Sequence, residues 1–421
     1  MRKLTLLLIL TTTVFNSYAQ RKLTLDDCLS LAKKNNLEVK KSELGIIDAD
    51  YGKKNAFTHY FPSINATGLG LAANSGLLET GLAGMDLSLI KRGVYGGLSL
   101  TQPVYTGGQI ANSNKLANEI QGLRKEQHEA VLDDVALLTE EYYWQYFRLS
   151  EKLKTLEVIE ELTNQTLKEV RLAIQAGLAT HNKELQVKLR LDEVLANKLN
   201  MANNIEITKL LLAQHIGLAS DSIILADIEY KDAVSPLNFF VNFESAVSEN
   251  KQYRIISKSE NITKIQTKIE KGKLLPSLAV GANYLFENLV DKNHTVGMVY
   301  ATVSIPISGW WGGSYSIRQK KVNEKIAEYS RIDASEKIIV QMESSYKELE
   351  VAYKQIGIAE QSVKSATENV RLNTNYFKSG MVTLNDLLDA QSLFQASKDL
   401  YIDKYTDYLI RLSKYNKTIG K

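Results

Sequence analysis

Apolar residues along this chain follow two rhythms, and each rhythm appears twice. From Val296 to Ile307, Val299, Ala301, Val303 and Ile305 fall on one side of an extended chain, and Met298, Tyr300, Thr302 and Ser304 on the other. From Val94 to Tyr105, Leu98 and Leu100 likewise oppose Ser99 and Thr101. A period of two predicts strands with one apolar face. The second rhythm is helical: Leu149, Leu153, Leu156, Thr163, Leu167, Val170 and Ile174 recur at spacings of three, four or seven, as do Tyr346, Leu349, Tyr353, Ile356, Val363 and Val370. Spacing that averages about 3.5 residues marks a coiled-coil seam rather than the wider face of a globular helix.

Prolines and glycines punctuate these patterns. The chain has five prolines. Pro62 with Pro103 and Pro276 with Pro306 bracket the alternating segments, and Pro236 lies between the pairs. Proline is excluded from helix interiors and central strands, so the four mark strand boundaries. Lead helices are expected from Leu25 to about Tyr60 and from Phe243 to about Leu274. Gly107-Gly108 and Gly312-Gly313 are expected to open long helices, Gln109 to Ala176 and Ser314 to Ser379. Each would span roughly 100 Å at about 1.5 Å per residue. Turns at Gly177-Leu178-Ala179-Thr180 and Gly380-Met381-Val382-Thr383 then start shorter return helices. The organisation read from this is a first copy at 20–225, a linker at 226–238 and a second copy at 239–421. Each copy carries a lead helix, two strands (about 62–73 and 94–105, then about 276–288 and 296–307), a long helix and a return helix. A lead and a return helix placed end to end match one long helix. The fold class is therefore mainly α, an antiparallel helical rod with a small β part at one end.

Composition narrows the setting. The 421 residues carry a formal net charge of +3, with 24% charged and 44% hydrophobic residues, as in a folded protein. No basic patch interleaved with aromatics points to nucleic acid. Arg2 and Lys3, the apolar run Leu4 to Leu10 and Ser17-Tyr18-Ala19 read as a signal peptide at 1–19. The single cysteine, Cys28, excludes an intramolecular disulfide and reads as a buried thiol. Past the signal, no apolar run reaches the roughly 18 residues of a spanning helix, so a membrane would have to be met with strands. Four strands cannot close a barrel, since single-chain barrels begin at about eight. An exported open sheet with an apolar face must be completed by further copies. The competing architecture is a soluble coiled-coil protein with a small sheet at its tip.

With these features in place, the chain resembles the outer-membrane efflux protein family, the TolC-like channels of Gram-negative bacteria. The residues that carry the resemblance are Leu23-Thr24-Leu25-Asp26-Asp27-Cys28-Leu29 with Asn35-Asn36, the Pro-Ser pairs at Pro62 and Pro276, Pro103-Val104-Tyr105-Thr106-Gly107-Gly108, and above all Gly380-Met381-Val382-Thr383-Leu384-Asn385-Asp386-Leu387-Leu388-Asp389-Ala390. The resemblance implies a homotrimer in which four strands per chain form a twelve-stranded barrel in the outer membrane, above an α-helical barrel in the periplasm. It also implies a passive conduit, without catalytic activity, docked on a periplasmic adaptor and an inner-membrane pump for efflux or type I secretion. An alternative function is a periplasmic coiled-coil adaptor or structural protein without a membrane barrel.

The same resemblance places Asp386 and Asp389 in a ring that constricts the periplasmic mouth. Residues three apart share a helix face, and threefold repetition would gather six carboxylates as a cation filter. The competing reading is a pair of solvated carboxylates favoured by the helix dipole. Family members that latch the closed mouth do so with a tyrosine, an arginine and an aspartate. The matching positions here hold Phe377, Val382 and Lys183, so that latch is absent, and Lys183 is left to pair with Asp386 or Asp389. The turn residues Gly177, Thr180, Gly380 and Thr383 belong to the same region. Other chemistry finds no support. Gly52-Lys53 lacks phosphate-loop spacing, and the five histidines show no metal-ligand spacing. No cofactor or metal is expected, and nothing in the chain names the cargo. Trp310-Trp311 reads either as a membrane-interface anchor or as packing at the strand-to-helix elbow. Leu77 to Lys91 reads as an outward loop.

Overall fold

The computed structural model describes residues 22–75, 78–82, 85–89, 92–219, 223–226, 230, 232–288 and 293–421. The signal segment expected at 1–19 lies outside them, as do the ends of the Leu77–Lys91 segment. The chain opens with β1 (Lys22–Leu23), α1 (Leu25–Asn35) and α2 (Leu37–Thr58). Strands β2 (Ser63–Ala72), β3 (Leu78–Leu82), β4 (Met85–Leu89) and β5 (Arg92–Thr106) lead to the helices α3 (Gln109–Gln175) and α4 (His181–Ile216). After β6 (Ile224–Leu225) come α5 (Phe243–Ala246), α6 (Lys251–Gly272), β7 (Ser277–Asn288), β8 (His294–Ser304), α7 (Gly309–Lys378) and α8 (Leu384–Thr418).

The 67 residues of α3 and 70 of α7 give helices of roughly 100 Å at the α-helical rise. α3 packs along α2 and α4, and α7 along α6 and α8; α3 also meets α6 and α8, which joins the two copies. Burial repeats at a constant interval. Asn36 answers Asn250, and Pro62 answers Pro276, 214 residues on in both cases. Pro103 answers Pro306, Gly177 answers Gly380 and Gly217 answers Gly420, each 203 residues on. Buried Val135, Tyr143, Leu156 and Leu167 accordingly match buried Ile338, Tyr346, Ala359 and Val370. The eleven-residue difference between the two intervals falls between the strands of each copy, where the first copy carries the β3–β4 hairpin. The Leu77–Lys91 segment therefore contains strands, where a loop is expected from its sequence.

The four longer strands form one antiparallel sheet in the order β2-β5-β7-β8. Register fixes its two faces, because directly paired residues share a side. Leu98 pairs with Ala66 and Tyr284, and Leu100 with Ile64 and Ala282, which in turn pairs with Val299. That face is apolar. The other is mixed and mainly polar: it carries Asn65, Thr67, Ser99, Thr101, Asn283, Tyr300 and Thr302, with Leu69, Leu285, Val296 and Met298 among them. On this side Tyr300 lies over its partner Gly281, where a Cβ would sit 2.4 Å from the ring.

Three details differ from the expected pattern. Pro103 lies inside β5 rather than at its end, at a bulge between Pro103 and Tyr105 where the missing N–H interrupts the ladder. Helix α7 starts at Gly309, five residues before the expected Ser314, and runs through Gly312-Gly313. A Cβ on Gly313 would sit 2.4 Å from Leu274, so that glycine serves close packing; Gly107 and Gly108, at φ 62° and 78°, do make a turn. Finally, both lead helices are broken, at Asn36 (ψ 135°) and at Asn250 (ψ 124°).

Those two breaks join each lead helix to the end of its return helix. The Asn36 amide oxygen accepts from Glu38 N–H at 2.8 Å, while its Nδ2 donates to the carbonyl of His215 at 2.9 Å. Asn250 accepts from Tyr253 N–H at 3.1 Å and donates to the carbonyl of Thr418 at 2.8 Å. One residue thus caps one helix and satisfies a terminal carbonyl of another. The segment expected as a linker is tied down beside the second junction. The hydroxyls of Tyr408 and Tyr415 donate to the carbonyls of Val234 (2.5 Å) and Phe239 (3.0 Å). At the elbow, Trp310 Nε1 donates to the Leu274 carbonyl at 2.9 Å, which is packing, while Trp311 is exposed.

Candidate functional site at the helix turns

The rod's far end is built from the two glycine turns. Gly177 and Gly380 take φ 73° and 74°, and a terminal N–H reaches back across each: Leu178 to Ala173 and Met381 to Tyr376, both 2.8 Å. Glycine adopts this conformation at little cost, and the two bonds cap the ends of α3 and α7. Leu178 and Met381, next in sequence, are exposed. Behind the turns Leu167, Val170, Val187 and Leu384 form a core that draws in Ile174, Leu191, Phe377 and Leu388. Phe377 therefore supplies apolar packing, and Val382 is half-buried in the second turn.

The two return helices start differently. Thr383 and Asp386 form a reciprocal capping box. Asp386 Oδ2 accepts from Thr383 N–H at 2.8 Å and from the Thr383 hydroxyl at 2.7 Å, and Asp386 N–H donates to that hydroxyl at 3.3 Å. The hydroxyl bond first, and the backbone bond second, hold the Asp386 carboxyl below the usual carboxylate value. Asp386 and Asp389 are both exposed on the first turns of α8. In the first copy Lys183 occupies the position matching Asp386, and Thr180 makes no side-chain cap. A lysine there has no acceptor to return the bond.

The first turn of α4 instead gathers charge around Glu184. Lys188 Nζ lies 2.9 Å and Arg171 Nε 3.0 Å from its carboxylate, and His181 Nδ1 lies at 3.2 Å. The bonds from Lys188 and then Arg171 bring its pKa down to about 2. No ion pair links Lys183 to Asp386 or Asp389 among the described residues. The inter-copy ion pair near the tip runs elsewhere, from Lys378 to Glu169 at 3.2 Å. Farther along, α3 meets α8 through Thr166–Gln391 (3.1 Å), Lys152–Asp403 (2.8 Å) and Arg148–Thr406 (2.9 Å). Between them sits Asp399, whose Oδ1 is buried without a hydrogen-bond partner. Burial pushes its pKa up to about 6. Sequence reading missed both: Glu184 is held by Lys188 and His181 of its own helix together with Arg171 of α3, and Asp399 owes its state to burial beside Lys152 of α3. Among the described residues no helix is long and apolar enough to cross a membrane, and no cluster of side chains could hold a metal ion.

Comparison with known proteins sets this geometry in a family. A search of curated protein sequences returns no significant match. Among solved structures, the fold is similar to the outer membrane protein VceC of Vibrio cholerae, with a TM-score of 0.79 at 14% identity over 94% of this chain and 96% of that one. It is also similar to the CmeC outer membrane channel of Campylobacter jejuni (0.81, 14%, covering 94% and 85%) and to the open state of the MtrE outer membrane channel of Neisseria gonorrhoeae (0.76, 13%, covering 94% and 88%). At such identities the likeness establishes the fold alone. The sequence itself matches the outer membrane efflux protein family over residues 28–218 and 260–420. With most of its length matched, this chain belongs to the outer membrane efflux protein family, whose members are channels and not enzymes.

Proposed function

We propose that three copies of this chain form an outer-membrane conduit of a Gram-negative bacterium. Their twelve strands close one barrel, and their helices continue it as a tube through the periplasm to an adaptor and an inner-membrane pump. In this reading the chain serves a tripartite efflux or type I secretion system, with passive transport and energy supplied by the pump. The observation that carries it is the four-stranded sheet at the end of a rod of roughly 100 Å. One face is apolar and the other mainly polar, and β2 and β8 each pair on one side only among the described residues. In lipid the free edges need partners, and copies of the same sheet supply them. The two helix turns form the periplasmic gate, with Asp386 and Asp389 at its constriction and Lys183 facing the same opening. Chemically, such a mouth favours cations through the aspartates and tempers that preference through the lysines.

Membrane fractionation with electrophoresis at two temperatures tests the proposal. The expected result is an outer-membrane protein that runs as a trimer unheated and as a 47.2 kDa chain, less its signal, after boiling. Recovery in the soluble periplasm would refute it.

A further inference from the structure

Within one chain, the first copy meets the second along a seam that is ionic between α6 and α3 and mixed between α8 and α3, where Phe147 and Tyr405 also pack. α6 sends Lys251, Arg254 and Lys258 to Asp133, Glu126 and Glu119 of α3, at 2.6, 2.9 and 3.1 Å. α8 adds Lys414 to Glu141 of α3 at 2.8 Å, and Thr155 and Ile402 line one groove between the same two helices. The corresponding elements recur on the outer flanks of the chain: α2 and α4 on one side, α7 on the other. The intervals of 214 and 203 residues convert each covered position into its flank counterpart.

The chemistry changes at those counterparts. Lys258 and Glu119 become Leu44 and Val322, which are 63% and 57% exposed. Arg254 and Glu126 become Lys40 and Tyr329, an ammonium facing an exposed ring. Thr155 and Ile402, both buried, become Ile358 and Leu199, which are 68% and 74% exposed. Lys414 becomes exposed Leu211, and half-buried Ile265 becomes exposed Tyr51. Other rungs change without gain: Lys251 and Asp133 become Leu37 and Glu336, Lys152 and Asp403 become Gln355 and Asn200, and Thr166 and Gln391 become Asn369 and Lys188. Leu44, Val322, Ile358 and Leu199 thus leave large apolar side chains bare on the flanks at positions that are covered by the other copy inside the chain. Bare apolar stripes of this kind mark an interface.

We infer that α7 of one chain packs along α2 and α4 of a second copy in the register that α3 adopts with α6 and α8 within a chain, so that apolar contacts between chains take the place of the ion pairs by which Lys258 and Arg254 join α6 to α3 within one. Leu44 then meets Val322, Leu199 meets Ile358, and Lys40 lies against the Tyr329 ring, a cation–π arrangement. The inference rests on the trimer proposed above and adds its register and its chemistry. It also sets a salt response, because charge pairs between helices are screened whereas apolar contact is not.

Charge grafting tests the register. L44K and V322E each place one charge among these apolar contacts, whereas L44K/V322E together rebuild the pair that Lys258 and Glu119 make inside the chain. Both sites are exposed in the single chain, so circular dichroism should show unchanged helix content in all three variants. The trimer fraction in mild detergent, measured by analytical ultracentrifugation, should fall several-fold in each single variant and recover most of that loss in the double. As a second readout, L44C/V322C treated with a short bismaleimide should give chain-to-chain products, with Cys28 buried and silent. Additive losses in the double variant, or no cross-linked product from an intact trimer, would overturn the register and leave the trimer standing. A wild-type chain that sediments as a monomer would overturn both.

Discussion

Replacing Asn36 by alanine and by serine separates the two tasks this residue performs. Its side chain is buried, caps α2 through Glu38 N–H at 2.8 Å and pins the His215 carbonyl at 2.9 Å. Losing an asparagine cap costs about 1 kcal/mol. Leaving a buried carbonyl without its donor costs about 1–3 kcal/mol. N36A should therefore lower the local opening free energy by about 2–4 kcal/mol, whereas N36S keeps the cap and loses only the pin. Hydrogen exchange measured on peptides covering 30–45 and 209–218 reads this directly. At about 1.4 kcal/mol per tenfold, N36A should speed exchange about thirty-fold to a thousand-fold, with N36S about fivefold closer to wild type. The same pair of substitutions at Asn250 should act on peptides near Thr418 instead. If N36S exchanged like wild type, the pin would contribute nothing and the reasoning would be wrong; if N36S matched N36A, the cap would be the idle part.

Four shorter predictions follow from other parts of the molecule. D386N keeps an oxygen for the Thr383 bonds and removes the charge, so it should weaken cation block in planar bilayers while α8 stays capped; D386A should also loosen the first turn, seen as faster exchange at Leu384–Leu388. Because the Asp386 carboxyl is held below its ordinary value of 3.8, its contribution should persist down to that value and disappear only as pH falls further. Asp399 has the opposite sign. With its pKa raised to about 6, the folded chain binds the proton more readily than the unfolded chain, so stability should rise as pH falls from 7 towards 4, and D399N should flatten that rise in urea melts. G217A and G420A should destabilise more than G177A and G380A. All four glycines have positive φ, but only at 217 and 420 would a Cβ meet neighbours at 2.6 Å, so the first pair should exceed the roughly 1 kcal/mol strain of the second. Finally, V299R on the apolar sheet face should cost about 2–4 kcal/mol in assembled trimer, whereas T302R on the polar face should cost much less by the same electrophoretic assay.

The parts of this fold that lie in local chemistry were legible from residues alone. Alternation placed Val299 and Thr302 on opposite faces, and Gly380 with Thr383 marked a helix turn and a new start. Positions whose role depends on a distant neighbour were not legible. Asn36 is compatible with a continuous helix, and only the His215 carbonyl across the rod explains the break there. Gly313 reads as a helix opener, yet its purpose is to admit Leu274. Pro103 reads as a strand end, but the bulge beside it lets β5 continue. At the candidate mouth, the sequence supplied Asp386 and Asp389 through family resemblance. It could not show that Asp386 already holds a cap, or that the strongest charge cluster of the first turn centres on Glu184 rather than Lys183.

The asparagine junctions have a mechanical consequence. α3 and α7 are unbroken from sheet to turn, so torsion applied at either end travels their full length through a continuous backbone. The rods made of α2 with α4 and of α6 with α8 are spliced instead, and each splice is held by side-chain hydrogen bonds rather than by the main chain. A twist at the turns therefore reaches the sheet along two shafts and is relieved at two couplings.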